Sequence, residues 1–198
     1  MIAWINFMVL LVAGVAMFVL YALSVSPAHL ERKIGPIAYK RCGLYRSIAG
    51  AIMLVITANY VLYVFYPLPL SLPARFPWPW WVSVVIAAAI GIPSMYIMWR
   101  GIKDAGAEAM QPAKEHTMYG GIYEKMRHPQ ALGEVFLWWV IAFLAHSPFL
   151  ALFSFVWLPV WAGMCWFEDR DLSLRYGAAF DAYRRRVGAF FPRRQKSA

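Results

Sequence analysis

Long apolar stretches alternate with shorter polar segments along the chain, and this pattern predicts membrane-spanning helices. A helix rises 1.5 Å per residue and the apolar core of a bilayer is about 30 Å thick, so about 20 apolar residues suffice for one crossing. Five stretches are candidates, at about residues 4–25, 48–66, 80–99, 131–146 and 148–167. The sequence therefore predicts an all-α integral membrane protein, folded as a single membrane domain over residues 1–198.

The last two predicted spans come from one apolar stretch, residues 131–167, which is too long for a single crossing. As one helix it would extend over about 55 Å. His146, Ser147 and Pro148 lie near its middle and are typical of a turn. We therefore expect a tight helical hairpin that returns the chain to the side from which it came.

The segment after the last span is polar but keeps a helical period. Leu172, Tyr176, Ala179 and Tyr183 recur at helical spacing between charged residues, within residues 168–186. Such a pattern is typical of an amphipathic helix that lies against a membrane face or packs over a neighbouring loop. We expect a C-terminal helix of this kind.

Composition agrees with a membrane protein, and the charge pattern indicates its orientation. Of the 198 residues 62% are hydrophobic and 15% charged, and the formal net charge is +9. Lys and Arg cluster after the first span, after the third span and after the last: Arg32, Lys33, Lys40, Arg41 and Arg46; Arg100, Lys103, Lys114, Lys125 and Arg127; Arg170, Arg175, Arg184, Arg185, Arg186, Arg193, Arg194 and Lys196. By the positive-inside rule these clusters face the cytoplasm, which places the N-terminus outside.

The same charge pattern indicates which kinds of partner the protein has. Its positive residues flank apolar spans instead of covering a soluble face. We therefore expect the lipid bilayer as a partner and no nucleic acid. Cys42 and Cys165 match no metal-binding or redox spacing, so we expect two structural thiols and no metal site.

Two polar segments contain the residues with chemical potential, at about residues 108–134 and 168–192, and both are predicted on the cytosolic side. Arg127 and His128 precede a predicted helix N-terminus, where free N–H groups and the helix dipole favour an anion. An Arg-His pair there is also a common membrane-interface anchor. Glu134 is acidic within an apolar span, which indicates a cavity or a partner, although it lies near enough to the interface to snorkel.

The order of motifs in these segments resembles a known superfamily. It runs Gly-Ile-Tyr-x3-Arg-His-Pro-x3-Gly from Gly121, then a hairpin, then Glu-Asp-x7-Gly-x5-Tyr from Glu168 and finally Phe-Phe-Pro. This order is similar to that of the isoprenylcysteine carboxyl methyltransferase and phospholipid N-methyltransferase superfamily. The resemblance covers roughly residues 108–192, under half the chain, and implies S-adenosylmethionine as cofactor, bound on the cytosolic side.

The resemblance also implies roles for individual residues. Arg127 would be the catalytic group that orients the substrate nucleophile or the cofactor carboxylate, and Glu134 is a candidate for substrate binding. The upstream contact segment of the superfamily is matched with a register shift of one residue. The implied cofactor-binding residues are Tyr123, His128, Pro129, Gln130, Ala131, Glu168 and, in the shifted segment, His116, Thr117 and Met118.

Two positions depart from the superfamily. Ala131 stands where an aromatic residue is usual, and Met164 stands where prenylcysteine enzymes resemble one another in carrying an arginine. The second departure weakens the case for a prenylcysteine substrate.

Together these observations predict a membrane-embedded S-adenosylmethionine-dependent methyltransferase. Its acceptor would be a lipophilic small molecule or lipid-anchored substrate, such as an isoprenylcysteine-like carboxylate, a phospholipid amine or a thiol. One alternative is an NADPH-dependent membrane reductase of the sterol or steroid type, whose Arg-His-Pro-x3-Gly-Glu segment also resembles this one and includes Glu134. The other alternative is a non-catalytic membrane scaffold.

Overall fold

A computed structural model describes residues 1–114 and 120–193, and this part of the chain is helical without a β-strand. The all-α prediction is therefore confirmed. Short 3₁₀ turns at Gly106–Ala109, Gly121–Glu124 and Ser154–Val156 join or extend the helices. The α-helices are α1 (Ile2–Ser24), α2 (Pro27–Ile34), α3 (Ile37–Phe65), α4 (Trp80–Ala105), α5 (Pro129–Leu144), α6 (Pro148–Phe153), α7 (Trp157–Tyr176) and α8 (Ala178–Arg186).

Four helical segments within the described residues are long and apolar enough to cross a membrane. They are Ile2–Ser24, Ile37–Phe65, Trp80–Ala109 and Pro148–Tyr176, the last made of α6, a 3₁₀ turn and α7 in direct succession. They correspond to the first, second, third and fifth predicted spans. The predicted fourth span is α5, which has 16 residues and a length of about 24 Å. Its crossing of the bilayer stays a prediction.

Two helices extend well beyond the spans that the sequence predicted. α3 begins at Ile37 instead of near residue 48, so Lys40, Arg41 and Arg46 belong to its first turns and not to a loop. α7 continues to Tyr176 instead of ending near residue 167. The prediction ended the spans at charged residues, whereas these residues lie within longer helices, at their polar ends.

The bundle is held together by two close helix pairs and an aromatic core. α1 packs along α3, and α4 along α5. Gly133 of α5 permits the second contact, because a methyl group there would lie 2.6 Å from the carbonyl oxygen of Ser94. In the core, Trp138 stacks on Trp157 at 4.8 Å between ring centroids, and Trp157 donates a hydrogen bond to the Tyr60 hydroxyl at 2.8 Å. These contacts fix the register of α5 against α3 and α7.

The predicted turn between the last two spans is confirmed. His146 adopts a left-handed backbone with φ 54°, Ser147 caps α6 by accepting a hydrogen bond from the Leu150 N–H, and Pro148 is the first residue of α6. The His146 ring lies 2.7 Å from the hydroxyl of Ser83, near the start of α4. α5 therefore ends where α4 begins.

The opposite end of the bundle is polar and brings distant segments together. Arg46 of α3 donates hydrogen bonds to the backbone carbonyls of Glu108 and Ser24. Asp171 of α7 accepts hydrogen bonds from the N–H groups of Ala28 and His29, at 3.1 and 2.7 Å, and so caps α2. This end carries the basic clusters that the sequence assigned to the cytosol, and that orientation stays a prediction.

The C-terminal part differs from the single amphipathic helix expected over residues 168–186. Gly177, with φ 57°, ends α7 and begins α8. A left-handed residue at this point turns the chain sharply, which a glycine permits at little cost. The position of α8 against a membrane stays a prediction.

Candidate functional site

The loop before α5 is anchored on the last turns of α4. Gly121 has φ 63°, and a side chain there would meet Asp104, 2.7 Å from its Cγ. The backbone can therefore approach closely enough for the Ile122 N–H to donate to Asp104 Oδ2 at 2.8 Å. The Tyr123 hydroxyl donates to the carbonyl oxygen of Gly101 at 3.1 Å and accepts a hydrogen bond from Gln130 at 2.9 Å.

The segment after α8 lies beside this loop and pairs with its backbone. The N–H groups of Arg127 and His128 donate to the carbonyls of Gly188 and Ala189, at 2.9 and 3.0 Å. The Tyr183 hydroxyl donates to the Tyr123 carbonyl at 2.7 Å. The two polar segments that the sequence singled out are therefore brought together.

Arg127 and Asp169 form a bidentate ion pair between the loop and α7. Arg127 Nε and Nη2 donate to the two carboxylate oxygens, at 3.2 and 2.8 Å. Arg127 Nη1 donates to the carbonyls of Val187 and Arg184, at 2.6 and 3.3 Å. The Arg127 side chain is only 9% exposed. This arginine thus joins α7, α8 and the segment after it.

His128 caps α5 and lies between two carboxylates. Its Nδ1 is 3.1 Å from Glu168 Oε2, and its Nε2 is 3.0 Å from Asp169 Oδ1. Burial by itself would lower the pKa of His128, but hydrogen bonds with Asp169, Cys165 and Glu168 outweigh it and raise the pKa well above its ordinary value. Both ring nitrogens therefore carry protons at neutral pH.

Burial keeps the two tyrosines of this region neutral. It raises the pKa of Tyr183 to about 12 and raises the pKa of Tyr123 further still. Both phenols therefore act as hydrogen-bonding groups and not as phenolates at any pH near neutral.

A small cavity of about 50 Å³, open to solvent on one side, lies among these segments at the polar end of the bundle. Seven of the residues predicted from the sequence line it: Tyr123, Arg127, His128, Pro129, Gln130, Ala131 and Glu168. The Glu168 side chain is 36% exposed. The cavity wall also contains apolar groups, among them Val25, Ala105 and Leu172. The wall therefore offers both polar and apolar contacts to a ligand.

Other predicted residues lie elsewhere. Glu134 accepts a hydrogen bond from Trp161 Nε1 at 3.1 Å within the helical bundle, and it is not part of the cavity wall. Met164 is 1% exposed and belongs to the apolar core. The predicted contacts His116, Thr117 and Met118 lie outside the described residues.

Sequence reasoning missed several residues of this site. Arg46 was read as a topological charge, although it lines the cavity from the start of α3. Arg175 was read as part of a basic tail, yet it also lines the cavity and forms an ion pair with Glu108 at 2.6 Å. Asp169 stands next to Glu168 in the motif, and that adjacency was the one available signal for its role.

Comparisons with known proteins found one matching family model and one similar methyltransferase. Residues 80–179 match the model of a family described as phospholipid methyltransferase. A methanethiol S-methyltransferase 2 from Bradyrhizobium diazoefficiens is 30% identical over 104 residues, which are 52% of this chain and 36% of that protein. The matched region thus spans little more than a third of the length of that relative. No solved structure matches the chain.

Proposed function

The chain belongs to the phospholipid methyltransferase family, and from this premise we propose that it is a membrane methyltransferase that transfers a methyl group from S-adenosylmethionine to a lipophilic acceptor. One observation gives the main support for the proposal. The cavity at the polar end of the bundle is lined by both segments that the motif order singled out, Tyr123–Ala131 and Glu168 with the residues after it. These segments are 37 residues apart and meet only because α5 and α7 form a hairpin.

The residues around the cavity fit this methyl donor chemically. The partly exposed carboxylate of Glu168 is an acceptor suited to ribose hydroxyls. The apolar wall formed by Val25, Ala131 and Leu172 suits an adenine ring and the methylene groups beside the sulfonium. When bound, the sulfonium supplies an activated methyl group, which an in-line displacement transfers with little further chemistry from the protein.

His128 acts in this proposal by position. Because it holds a proton on each ring nitrogen, it does not take a proton from the acceptor. Its contacts with Glu168 and Asp169 instead fix these two carboxylates, of which Glu168 lines the cavity. An amine or thiol acceptor then reacts through a free lone pair, without His128 as its base.

Arg127 takes a revised role in the proposal. The sequence predicted that it orients the acceptor or the cofactor carboxylate. Its three donating nitrogens are instead engaged by Asp169, Val187 and Arg184. We assign it to positioning, because it holds α7 and the C-terminal segment against the cavity.

An apolar groove beside the cavity suits the acceptor. Phe18, Leu23, Phe167 and Leu174 line it, with Lys33 and Arg170 among its polar residues, and Asp171 lines both the groove and the cavity. An amphiphilic acceptor would lie there with its apolar part toward the bilayer. The name of the methanethiol S-methyltransferase relative makes a thiol the first acceptor to test.

Calorimetry in detergent tests the donor directly. We expect the folded protein to bind S-adenosylhomocysteine, the demethylated product. Glu168→Gln should weaken this binding about tenfold, because a charged acceptor is lost. Glu124→Gln is the matched control, since Glu124 is an exposed glutamate on the neighbouring loop. Folded wild-type protein that fails to bind S-adenosylhomocysteine would refute the proposal.

The same assay separates the alternative functions. The reductase hypothesis rested on the Arg-His-Pro-x3-Gly-Glu segment, and Glu134 of that segment does not line the cavity. Binding of NADPH without binding of S-adenosylhomocysteine would revive that hypothesis. Binding of neither ligand would favour a scaffold. Transfer of a labelled methyl group to a thiol, an amine or a carboxylate presented in micelles then identifies the acceptor class.

A further inference from the structure

Two arginines that the motif order does not include, Arg46 and Arg175, line the cavity, and each has one buried donor without a partner among the residues described. Arg46 Nη1 donates to the carbonyls of Glu108 and Ala109, at 2.7 and 2.9 Å, and its Nη2 donates to the Ser24 carbonyl at 3.4 Å. Its Nε is buried and has no hydrogen-bond partner within the described part of the chain. The guanidinium is thus held in place while one of its donors has no partner in that part.

Arg175 is arranged in the same way from the other side. Its Nη1 donates to Glu108 Oε1 at 2.6 Å, and its Nη2 donates to the Ala113 carbonyl. The side chain is only 6% exposed. Its Nε is also buried without a partner among residues 1–114 and 120–193. A buried donor without a partner is costly, so two around one cavity indicate a missing acceptor.

The charges around these arginines indicate that the missing acceptor is an anion. The Glu108 carboxylate pairs with Arg175, whereas Arg46 reaches only the backbone carbonyl of Glu108. Arg46 forms no ion pair with a carboxylate in the part of the chain that the structure describes. Arg175 thus has a carboxylate in contact and Arg46 has none among the described residues, and an anionic ligand in the cavity would supply one.

The position of Arg175 on α7 relates this anion site to Glu168. Glu168, Leu172 and Arg175 are spaced i, i+4 and i+7, so they share one face of the helix, and all three line the cavity. Seven residues correspond to about 10 Å along the axis. One face of α7 therefore presents an acidic group at one end of the cavity and a guanidinium at the other.

We propose that Arg46 and Arg175 form the carboxylate-binding pair of the methyl-donor site and hold the amino-acid end of the cofactor, while Glu168 holds its ribose end. The inference rests on the proposed function and deepens it. An extended ribose and methionyl arm has a length comparable to the separation along α7. The two guanidinium groups would donate to the ligand carboxylate, and because charge-assisted hydrogen bonds are strong, this end would contribute much of the affinity.

A pair of ligands isolates this contribution. S-adenosylhomocysteine carries the amino-acid carboxylate, whereas 5′-methylthioadenosine retains the adenosine and sulfur but lacks the amino-acid arm. Calorimetry on wild-type protein in detergent should show tighter binding of S-adenosylhomocysteine by at least about tenfold. Arg46→Gln should remove most of that difference and leave 5′-methylthioadenosine binding within about twofold. Arg41→Gln is the matched control, because Arg41 is an exposed arginine on the same helix and its loss changes net charge equally.

A second variant keeps the test informative if Arg46→Gln fails to fold. Arg175→Lys keeps the positive charge beside Glu108 but removes the Nε donor, and it should also weaken S-adenosylhomocysteine selectively. An equal loss for both ligands, or no loss for either, overturns the inference. Wild-type protein that binds both ligands equally overturns it without touching the proposed function. Wild-type protein that binds neither overturns the proposed function, and the inference with it.

Discussion

Asp169→Asn tests the claim that a buried ion pair holds the site together. Asp169 accepts both hydrogen bonds of the Arg127 fork and lies 3.0 Å from His128 Nε2. The Arg127 and Asp169 side chains are 9% and 13% exposed. Removing the negative charge leaves a guanidinium and a protonated imidazole without their shared counter-ion, in a place that water barely reaches.

The magnitude follows from that burial. Removal of one partner of a buried ion pair costs about 3–5 kcal/mol, and an amide oxygen still accepts one hydrogen bond, so we expect a loss of about 3 kcal/mol. The free energy of unfolding would be measured by denaturant titration in detergent micelles. Asp181→Asn is the control, because Asp181 accepts one hydrogen bond from the Ser173 hydroxyl at 3.1 Å. It should lose at most about 1 kcal/mol.

A double-mutant cycle distinguishes the ion pair from general damage. Arg127→Met combined with Asp169→Asn should lose less than the sum of the two single variants, because no buried guanidinium is then left without its carboxylate. We expect a coupling energy of at least about 1.5 kcal/mol. Additivity within about 0.5 kcal/mol, or a loss below about 1 kcal/mol for Asp169→Asn alone, would refute the reasoning.

Three further predictions concern pH, helix packing and the hairpin. Because the pKa of His128 is raised, its stabilisation is complete below about pH 6.5 and is lost as pH rises through the folded pKa. The free energy of unfolding should therefore fall as pH rises above about 6.5, and His128→Gln should flatten this dependence. Gly133→Ala should destabilise the protein by about 1–3 kcal/mol, because the added methyl group would clash with α4. Gly50→Ala is the control, since a methyl group there meets open space, and it should be neutral or stabilising by up to about 1 kcal/mol in the same titration. Equal effects of the two substitutions would contradict the packing argument. Ser147→Ala should cost about 1 kcal/mol through loss of the α6 cap, and an unchanged thermal midpoint would contradict it.

Local chemistry explains which parts of the fold the sequence predicts well. The turn at His146–Pro148 follows from a proline and a capping serine within an apolar run, and both signals act within a few residues. The start of α3 at Ile37 was missed because Lys40 and Arg46 were read as loop charges. A helix tolerates such residues at its polar end. Charge alone therefore predicts where a helix ends less well than it predicts which side of the membrane a segment faces.

Prediction of the candidate site from the sequence has a different limit. The motif order predicted that Tyr123, His128 and Glu168 lie together, and all three line one cavity. The pairing of Arg127 with Asp169 spans 42 residues and depends on the register of α5 against α7, which no local pattern specifies. Arg46 was inaccessible to sequence reasoning for the same reason, since its role depends on helices that meet only in the folded bundle.

The pairing between the loop before α5 and the segment after α8 has a consequence for biosynthesis. The partners of the Arg127 and His128 N–H groups are the carbonyls of Gly188 and Ala189, which a ribosome adds some 60 residues later. All the apolar helices have been synthesised by then. Synthesis of these helices and completion of the cavity are therefore separate events, and a chain truncated shortly after α7 would keep every apolar helix but lack the backbone partners of Arg127 and His128.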